Sequence, residues 1–537
     1  MFSNPPSVLN RLGWFHLVVL AILTILAAPA AFAEGTATLS GGDGSGSSSF
    51  NSAGLWTGVT GTPSAGNQYF TGANRLRSPA VTANASYTFG GDSLSIDAGG
   101  ALLGKVNGVA TETLTLNGAN GFYGLYLNGG TVYEGGNLNA NGVTLAIAGT
   151  AFANSGTTTF IGATGKYATS QAEKLDFQST ISGSGNITVG GTGDSGDLSG
   201  IVQLDAANTI SGTVSVIAPP GNSDGDQGVG NATYGLLDLN NLNALQNATL
   251  ALGASFGTTN TTSFNSLANT GTFNVGALSG SGNVKLTDTA GAAVALSVGG
   301  NNSSTAYSGN LSGLGSLTKA GTGTLTLSGA NTYAGTTTVG GGRLMVNGTH
   351  VGGGSYNVNS SGILGGSGTI TLGSGAGIFV NSGGVLAPGA DGVIRTLTLN
   401  GSVNGTTLLT LASGASLSFN LFTGLAADQL AVTSGAANDV VFNNNVINFN
   451  DLSAGSLTTG NYTLFSSDAA GIYTGLTLSG SDITGGLTIG TGLTAYTADL
   501  EVSGNNIVLD ITAVPEPTTL ALAGLGGAAV LLLRRKV

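Results

Sequence analysis

Cysteine is absent from the 537 residues, so neither a disulfide framework nor a Cys-ligated metal site is available. Charge is nearly absent too: 7% of residues are Asp, Glu, Lys or Arg. Long helices that depend on Lys and Glu are therefore not expected. Nine basic residues lie between Glu34 and Glu516, namely Arg75, Arg77, Lys105, Lys166, Lys174, Lys285, Lys319, Arg343 and Arg395. They are scattered, and the formal net charge is −12. No basic patch exists to neutralise phosphates, which excludes nucleic acid as a partner. There are ten prolines and two histidines, so Pro-rich linkers and His-based chemistry are both scarce.

What is abundant is glycine, 94 residues, well above the usual ~7%. No strict G-X-Y period accompanies it, which excludes collagen. Disorder is excluded by the 41% of hydrophobic residues, which alternate with Thr and Ser in short runs. That alternation is the pattern of half-buried strands.

Short units recur. "LDAANTISGTVSV" (204–216) aligns with "LSGANTYAGTTTV" (327–339), and "TLTLNGANGFYG" (113–124) with "TLTLSGANTYAG" (324–335). "TLTLNG" returns at 396–401. A second unit appears as "ISGSGNITV" (181–189), "LSGSGNVKL" (278–286) and "LGGSGTITL" (364–372). In Thr324–Leu327 the leucines share one face and the threonines the other. Ser328–Asn331 supplies turn residues, and Thr336–Val339 starts the next β run. One such unit cannot bury its apolar face alone, but a stack of them builds a continuous core. The expected fold is therefore all-β, a parallel β-helix or β-solenoid, with coils of roughly 20–25 residues and about 20 coils. A string of β-sandwich domains is the competing arrangement.

The ends read differently from the body. The first 33 residues place Arg11 before an apolar run from Trp14 to Leu26, then Ala31-Phe32-Ala33 ahead of Glu34. This is the layout of a secretory signal helix with an A-x-A site, to be cut by signal peptidase between Ala33 and Glu34. Residues 34–90 are expected to cap the first coils, 91–429 to form the solenoid, and 430–512 to close it as a β cap. From Thr518 to Leu533 runs a short apolar helix, about 24 Å long against a hydrocarbon core of ~30 Å. Arg534, Arg535 and Lys536 follow as a cytoplasmic stop. Such a helix spans only with local thinning, which suits a transient membrane hold.

Chemical motifs are weak. "GDSGD" (193–197) invites a serine-protease reading, but the sole His beyond the leader is His350, C-terminal to Ser195 and in a Gly-rich stretch expected to be a loop. "NSDGDQG" (222–228) begins a calcium-loop spacing without the later bidentate Glu. The remaining carboxylates are expected mostly in turns, for example Asp391 and Asp428. No metal site, cofactor or catalytic residue is expected. Asn-x-Ser/Thr triplets at Asn186, Asn231, Asn247, Asn310 and Asn347 are potential glycan acceptors.

Residues 315–348, "GSLTKAGTGTLTLSGANTYAGTTTVGGGRLMVNG", closely resemble the autotransporter-associated β-strand repeat. Residues 364–401 are similar to the coil that commonly follows it, including the Leu386-Ala387-Pro388-Gly389 turn. The resemblance implies a right-handed β-helix of the kind found in autotransporter passengers and exported surface proteins. Such passengers carry a translocator barrel of regular ~10-residue amphipathic strands; the sequence holds no such stretch, so self-translocation is not expected.

The order Val514-Pro515-Glu516-Pro517, apolar helix, Arg534-Arg535-Lys536 resembles the PEP-CTERM sorting signal over residues 513–537. What this implies is recognition of Pro515, Glu516 and Pro517 by an exosortase, cleavage nearby, and delivery to the cell surface or an exopolysaccharide matrix. The implied protein is non-enzymatic and exported, with exopolysaccharide or neighbouring surface proteins as partners in biofilm or adhesion. A β-helical polysaccharide lyase or glycosidase and a permanently anchored adhesin are the alternatives. Loss of both ends would leave nine basic residues against 25 acidic ones, a charge of −16 in place of −12.

Overall fold

The structure, a computed structural model, describes residues 35–41, 50–105, 110–134, 144–154, 156–161, 174–190, 201–217, 237–253, 262–264, 271–389, 392–401, 407–433 and 439–513. Every described element is a β-strand. The expected signal helix and the expected helix over 518–533 lie outside the described residues, and among the described residues no helix is long and apolar enough to cross a membrane.

The strands stack in parallel, each rung coming from the next coil of chain. The central coils carry three strands apiece. Ser316–Lys319, Thr324–Leu327 and Ala330–Asn331 form one coil, and Thr337–Val339, Gly342–Val346 and Thr349–Gly353 lie directly on it. Tyr356–Val358, Gly362–Gly365 and Thr369–Leu372 make the next layer. The alternation in the sequence is what sets the register: Leu325 and Leu327 are buried, whereas Thr324 and Thr326 face outward. A strand with one apolar side has a single favourable face, and a slip by one residue would reverse it.

Stacked registers turn these faces into columns. Leu296, Leu317, Thr337, Tyr356, Ile378, Leu409 and Val440 follow one another up the stack, all buried. Leu325, Leu344, Leu364, Leu386, Leu417 and Ile447 form a second column. Each full burial of such a side chain stabilises by about 1.5–3 kcal/mol, so a coil is held mainly by its neighbours above and below.

Coil length differs from the uniform 20–25 residues expected. Leu317, Thr337, Tyr356 and Ile378 follow one another in steps of 20, 19 and 22 residues. Beyond them Ile378, Leu409, Val440 and Tyr473 are separated by 31, 31 and 33, and near the start Ala101, Thr131 and Thr159 by 30 and 28. The wider coils carry longer connections and, in Ser416–Phe422 and Asn445–Asp451, longer strands, so the chain makes fewer and wider coils.

The second recurring unit explains its own glycines. Gly183, Gly280 and Gly366 occupy the equivalent position in its three copies, and all have positive φ, 98°, 95° and 127°. A Cβ at any of them would fall on a carbonyl oxygen of the coil below, that of Ala153, Leu252 or Val346. The corner needs both a left-handed backbone and close approach, and only glycine supplies both.

At its two ends the stack leaves the parallel pattern. Gly35–Leu39 pairs in parallel with Asn67–Phe70 and antiparallel with Trp56–Thr57. At the other end Gly460–Ser467 pairs antiparallel with Asn506–Ala513, which pairs antiparallel with Thr497–Ser503.

Two expectations are corrected. His350 is not in a loop: it lies in the strand Thr349–Gly353 and is buried. Asp428 is not in a turn: it is buried between Ala427 and Gln429, and its carboxylate accepts the backbone N–H groups of Gly389, Arg395 and Asn420 at 3.1, 2.8 and 2.7 Å. It thereby pins the turn at Pro388-Gly389, where one of the wide connections leaves the core.

Candidate functional site

The signal-cleavage residues Ala31, Ala33 and Glu34 lie outside the described residues, as do Pro515, Glu516, Pro517, Arg534, Arg535 and Lys536. The "GDSGD" and "NSDGDQG" runs and Asp391 lie outside them as well. The described residues therefore bear on what the body does.

Its outward surface is mainly Thr, Ser and Asn, and several asparagines act at corners. The Oδ1 of Asn186, Asn310 and Asn347 accepts the backbone N–H of Thr213, Ala330 and Ser367 in the following coil, at 2.8, 2.8 and 3.1 Å. These three belong to the Asn-x-Ser/Thr triplets, and their side chains tie coil to coil.

His350 has no catalytic setting. Its ring stacks on Tyr333 at 4.0 Å, one ring nitrogen meets the Tyr356 hydroxyl at 2.6 Å, and the other meets the Tyr333 carbonyl at 2.9 Å. Burial holds its pKa below the ordinary value, opposed by the Tyr333 carbonyl. With that carbonyl as acceptor, Nε2 carries the proton and Nδ1 receives the tyrosine hydroxyl. The ring is a neutral cross-coil staple. Lys319 does similar work from an inward position: its Nζ donates to the carbonyls of Ala320, Gly321 and Gly341 at 2.6, 3.1 and 3.2 Å. Burial lowers its pKa to about 8.

The sequence reading missed a polar row that crosses four coils. Asp176, Gln203, Asp238 and Ser263 stand in register on successive strands. Leu175 and Phe177 point into the core, so Asp176 and Lys174 occupy the opposite side. Gln203 is the hub: its Nε2 donates to Asp205 at 2.6 Å and reaches Asp176 at 3.5 Å, and its Oε1 accepts from Lys174 at 2.5 Å. Asn240 also donates to Asp205, and Ser263 to Asp238, each at 2.9 Å. Burial raises Asp176 to about 6; Asp205 adds to the rise, while Gln178 and Lys174 oppose it. Burial also raises Asp238, against the Ser263 hydrogen bond.

Two carboxylates beside one amide are within reach of acid–base chemistry. Yet Asp176, Gln203 and Asp238 are only 6–7% exposed, which leaves little room for a sugar ring. Among the described residues no group of three or more Asp, Glu, His or Cys is arranged to hold a metal ion. The row was hidden because its members are 27, 35 and 25 residues apart. A polar residue flanked by apolar ones in "LDF", "VQL" and "LDL" is the signal that aligning the coils would have exposed.

Residues 513–536 match the family model of the PEP-CTERM protein-sorting motif. The chain carries that sorting motif. Residues 317–346 match the passenger-associated-transport repeat, and span the strands from Ser316–Lys319 to Gly342–Val346 described above. The sorting motif implies processing by an exosortase. It begins at Ala513, the last residue of the strand Asn506–Ala513. No curated protein matches the sequence. Among solved structures, the crystal structure of the Haemophilus influenzae Hap adhesin is similar at 11% identity, over 84% of this chain and 60% of that one, with a TM-score of 0.23. The chain thus spans about 60% of that adhesin's length, and the superposition is too loose to carry more.

Proposed function

We propose that this chain is an exported, non-enzymatic right-handed β-solenoid of the cell surface or extracellular matrix. An exosortase would release it from a transient membrane hold through 518–533, and its partners are exopolysaccharide or neighbouring surface proteins. The observation that supports this most directly is the sorting motif placed immediately after the strand that closes a continuous stack of coils. A protein whose described surface is largely Thr, Ser and Asn, with His350, Lys319 and Asp428 buried as staples, is built for length and contact area. Among the described residues the Asp176–Gln203–Asp205 group is the feature that favours a carbohydrate-active enzyme, and the burial of Asp176 and Gln203 weighs against that role.

The test is mass spectrometry of both termini in each cell fraction. Surface material should begin at Glu34 and end near Pro515–Pro517. An intact Arg534–Val537 terminus in that material would overturn the sorting reading in favour of a permanent anchor.

A further inference from the structure

Most large aromatic side chains of the described residues are in the core, among them Tyr69, Tyr307, Tyr356, Phe160 and Phe419. Three break the rule together. Tyr126 lies between buried Leu125 and Leu127, and Phe152 between buried Ala151 and Ala153, so alternation turns both rings outward. The two residues are paired in register on adjacent coils. Tyr123, 37% exposed, completes the group from the preceding turn. Ring centroids are 4.9 Å apart for Tyr123–Phe152 and 6.0 Å for each of the other pairs. Gly183, on the next coil, leaves room for the Phe152 ring, which a Cβ there would touch at 3.2 Å.

The surroundings are polar. Ser95, itself covered, and the half-buried Ser182 continue the same column on either side. Along the Tyr126 strand, Asn128 donates to Ser95 at 2.8 Å and to Asp97 at 3.3 Å, and Ser95 donates to Asp97 at 2.7 Å. Tyr123 and Phe152 are tilted by 32° to each other, and Tyr126 stands at 90° to Tyr123. This ring cluster, edged by amide and carboxylate groups, matches the two chemistries a pyranose presents, an apolar C–H face and a rim of hydroxyls.

We propose that Tyr123, Tyr126 and Phe152 form a stacking platform for a neutral polysaccharide chain, with Asn128 and Asp97 receiving its hydroxyls. This deepens the surface-matrix reading and rests on it for the ligand's location. Size argues against a protein occupant: a stable partner buries about 800 Å² on each side, and three rings ringed by Ser and Asn fall short of that. Charge selects among glycans, because Asp97 at the rim and the acidic balance of the chain, formally −12 and −16 once both ends are lost, repel polyuronates and sulfated chains.

Affinity gel electrophoresis of the secreted full chain tests this, with hydroxyethylcellulose or galactomannan in the gel and polygalacturonate as the anionic counterpart. The expected result is retardation by a neutral polymer and none by polygalacturonate. The double variant Tyr126→Ala/Phe152→Ala should bind roughly tenfold more weakly, as loss of stacking predicts, with an unchanged melting profile. Should the double variant fail to fold, Tyr123→Ala, at the exposed turn, must still weaken binding, and Tyr126→Trp must retain it. No retardation by either neutral polymer, equal retardation of wild type and variants, or preference for polygalacturonate would overturn the platform. Correct processing of the tail without retardation sinks the platform alone; retardation with an intact tail sinks the sorting reading alone.

Discussion

Glu112 offers a test of how this fold tolerates an inward carboxylate. It alternates with Leu114 and Leu116 on the strand Thr111–Leu116 and is buried with them. Ser78 donates to its Oε2 at 2.5 Å, and the backbone N–H of Lys105 donates to Ser78 at 2.9 Å. Oε1 makes no hydrogen bond among the described residues. Burial is the main cause that pushes its pKa from 4.5 up to about 7, opposed by the hydrogen bonds from Ser78 and Lys105. A folded pKa above the unfolded one means that the folded state binds more protons. Stability is then fully present below the unfolded value of 4.5 and is lost as pH rises through about 7. At about 1.4 kcal/mol per pH unit, the loss across that window is about 3 kcal/mol. Glu112→Gln removes the ionisation, so whatever constant effect the amide has, the pH slope should vanish. Hydrogen exchange of the Thr111–Leu116 amides, corrected for intrinsic rates, at about pH 5 and about pH 8.5 reads the difference. Wild type should lose protection on going to the higher pH and the variant should not. An equal slope in both proteins would refute the reasoning. So would an equal change in the distant strand Thr396–Asn400, because coils communicate mainly with their neighbours.

Two further substitutions probe the corners. Asp428→Ala leaves the N–H groups of Gly389, Arg395 and Asn420 without their carboxylate and should destabilise the surrounding coils by at least about 3 kcal/mol, read as lost exchange protection in Gln429–Thr433. Gly366→Ala, with φ of 127° and the Val346 carbonyl in the way, should cost far more than Gly375→Ala, where φ is 79° and the space is open. The second variant measures left-handed strain alone, about 1–2 kcal/mol, and comparable urea midpoints for the two would contradict the close-approach argument.

Much of the body was legible because strand alternation and turn chemistry are local. The alternating burial of Thr324–Leu327 follows from its Thr-Leu period, and the glycines of the second unit mark a repeated corner. His350 was misplaced because its Gly-rich neighbours look like a loop in a chain where glycine also lets coils approach closely, and Asp428 because its three backbone partners lie up to 39 residues away in sequence. Lys319 was indistinguishable from a surface lysine, although it occupies an inward position between Val298 and Val339. Nothing within a strand says that its polar residue will be covered.

By itself the sequence determined the strand faces, the stacking of imperfect repeats and the sorting motif, since each is written in residues close together along the chain. Which coils lie in register was decided only in three dimensions, because the spacing between stacked strands varies along the chain. That register brings Asp176, Gln203 and Asp238 into one row, sets Tyr126 against Phe152, and carries Asp428 to the turn at Gly389. The physical reason is that a solenoid's long-range contacts are made between coils, and the number of residues from one coil to the next is set by corner packing that no local pattern records.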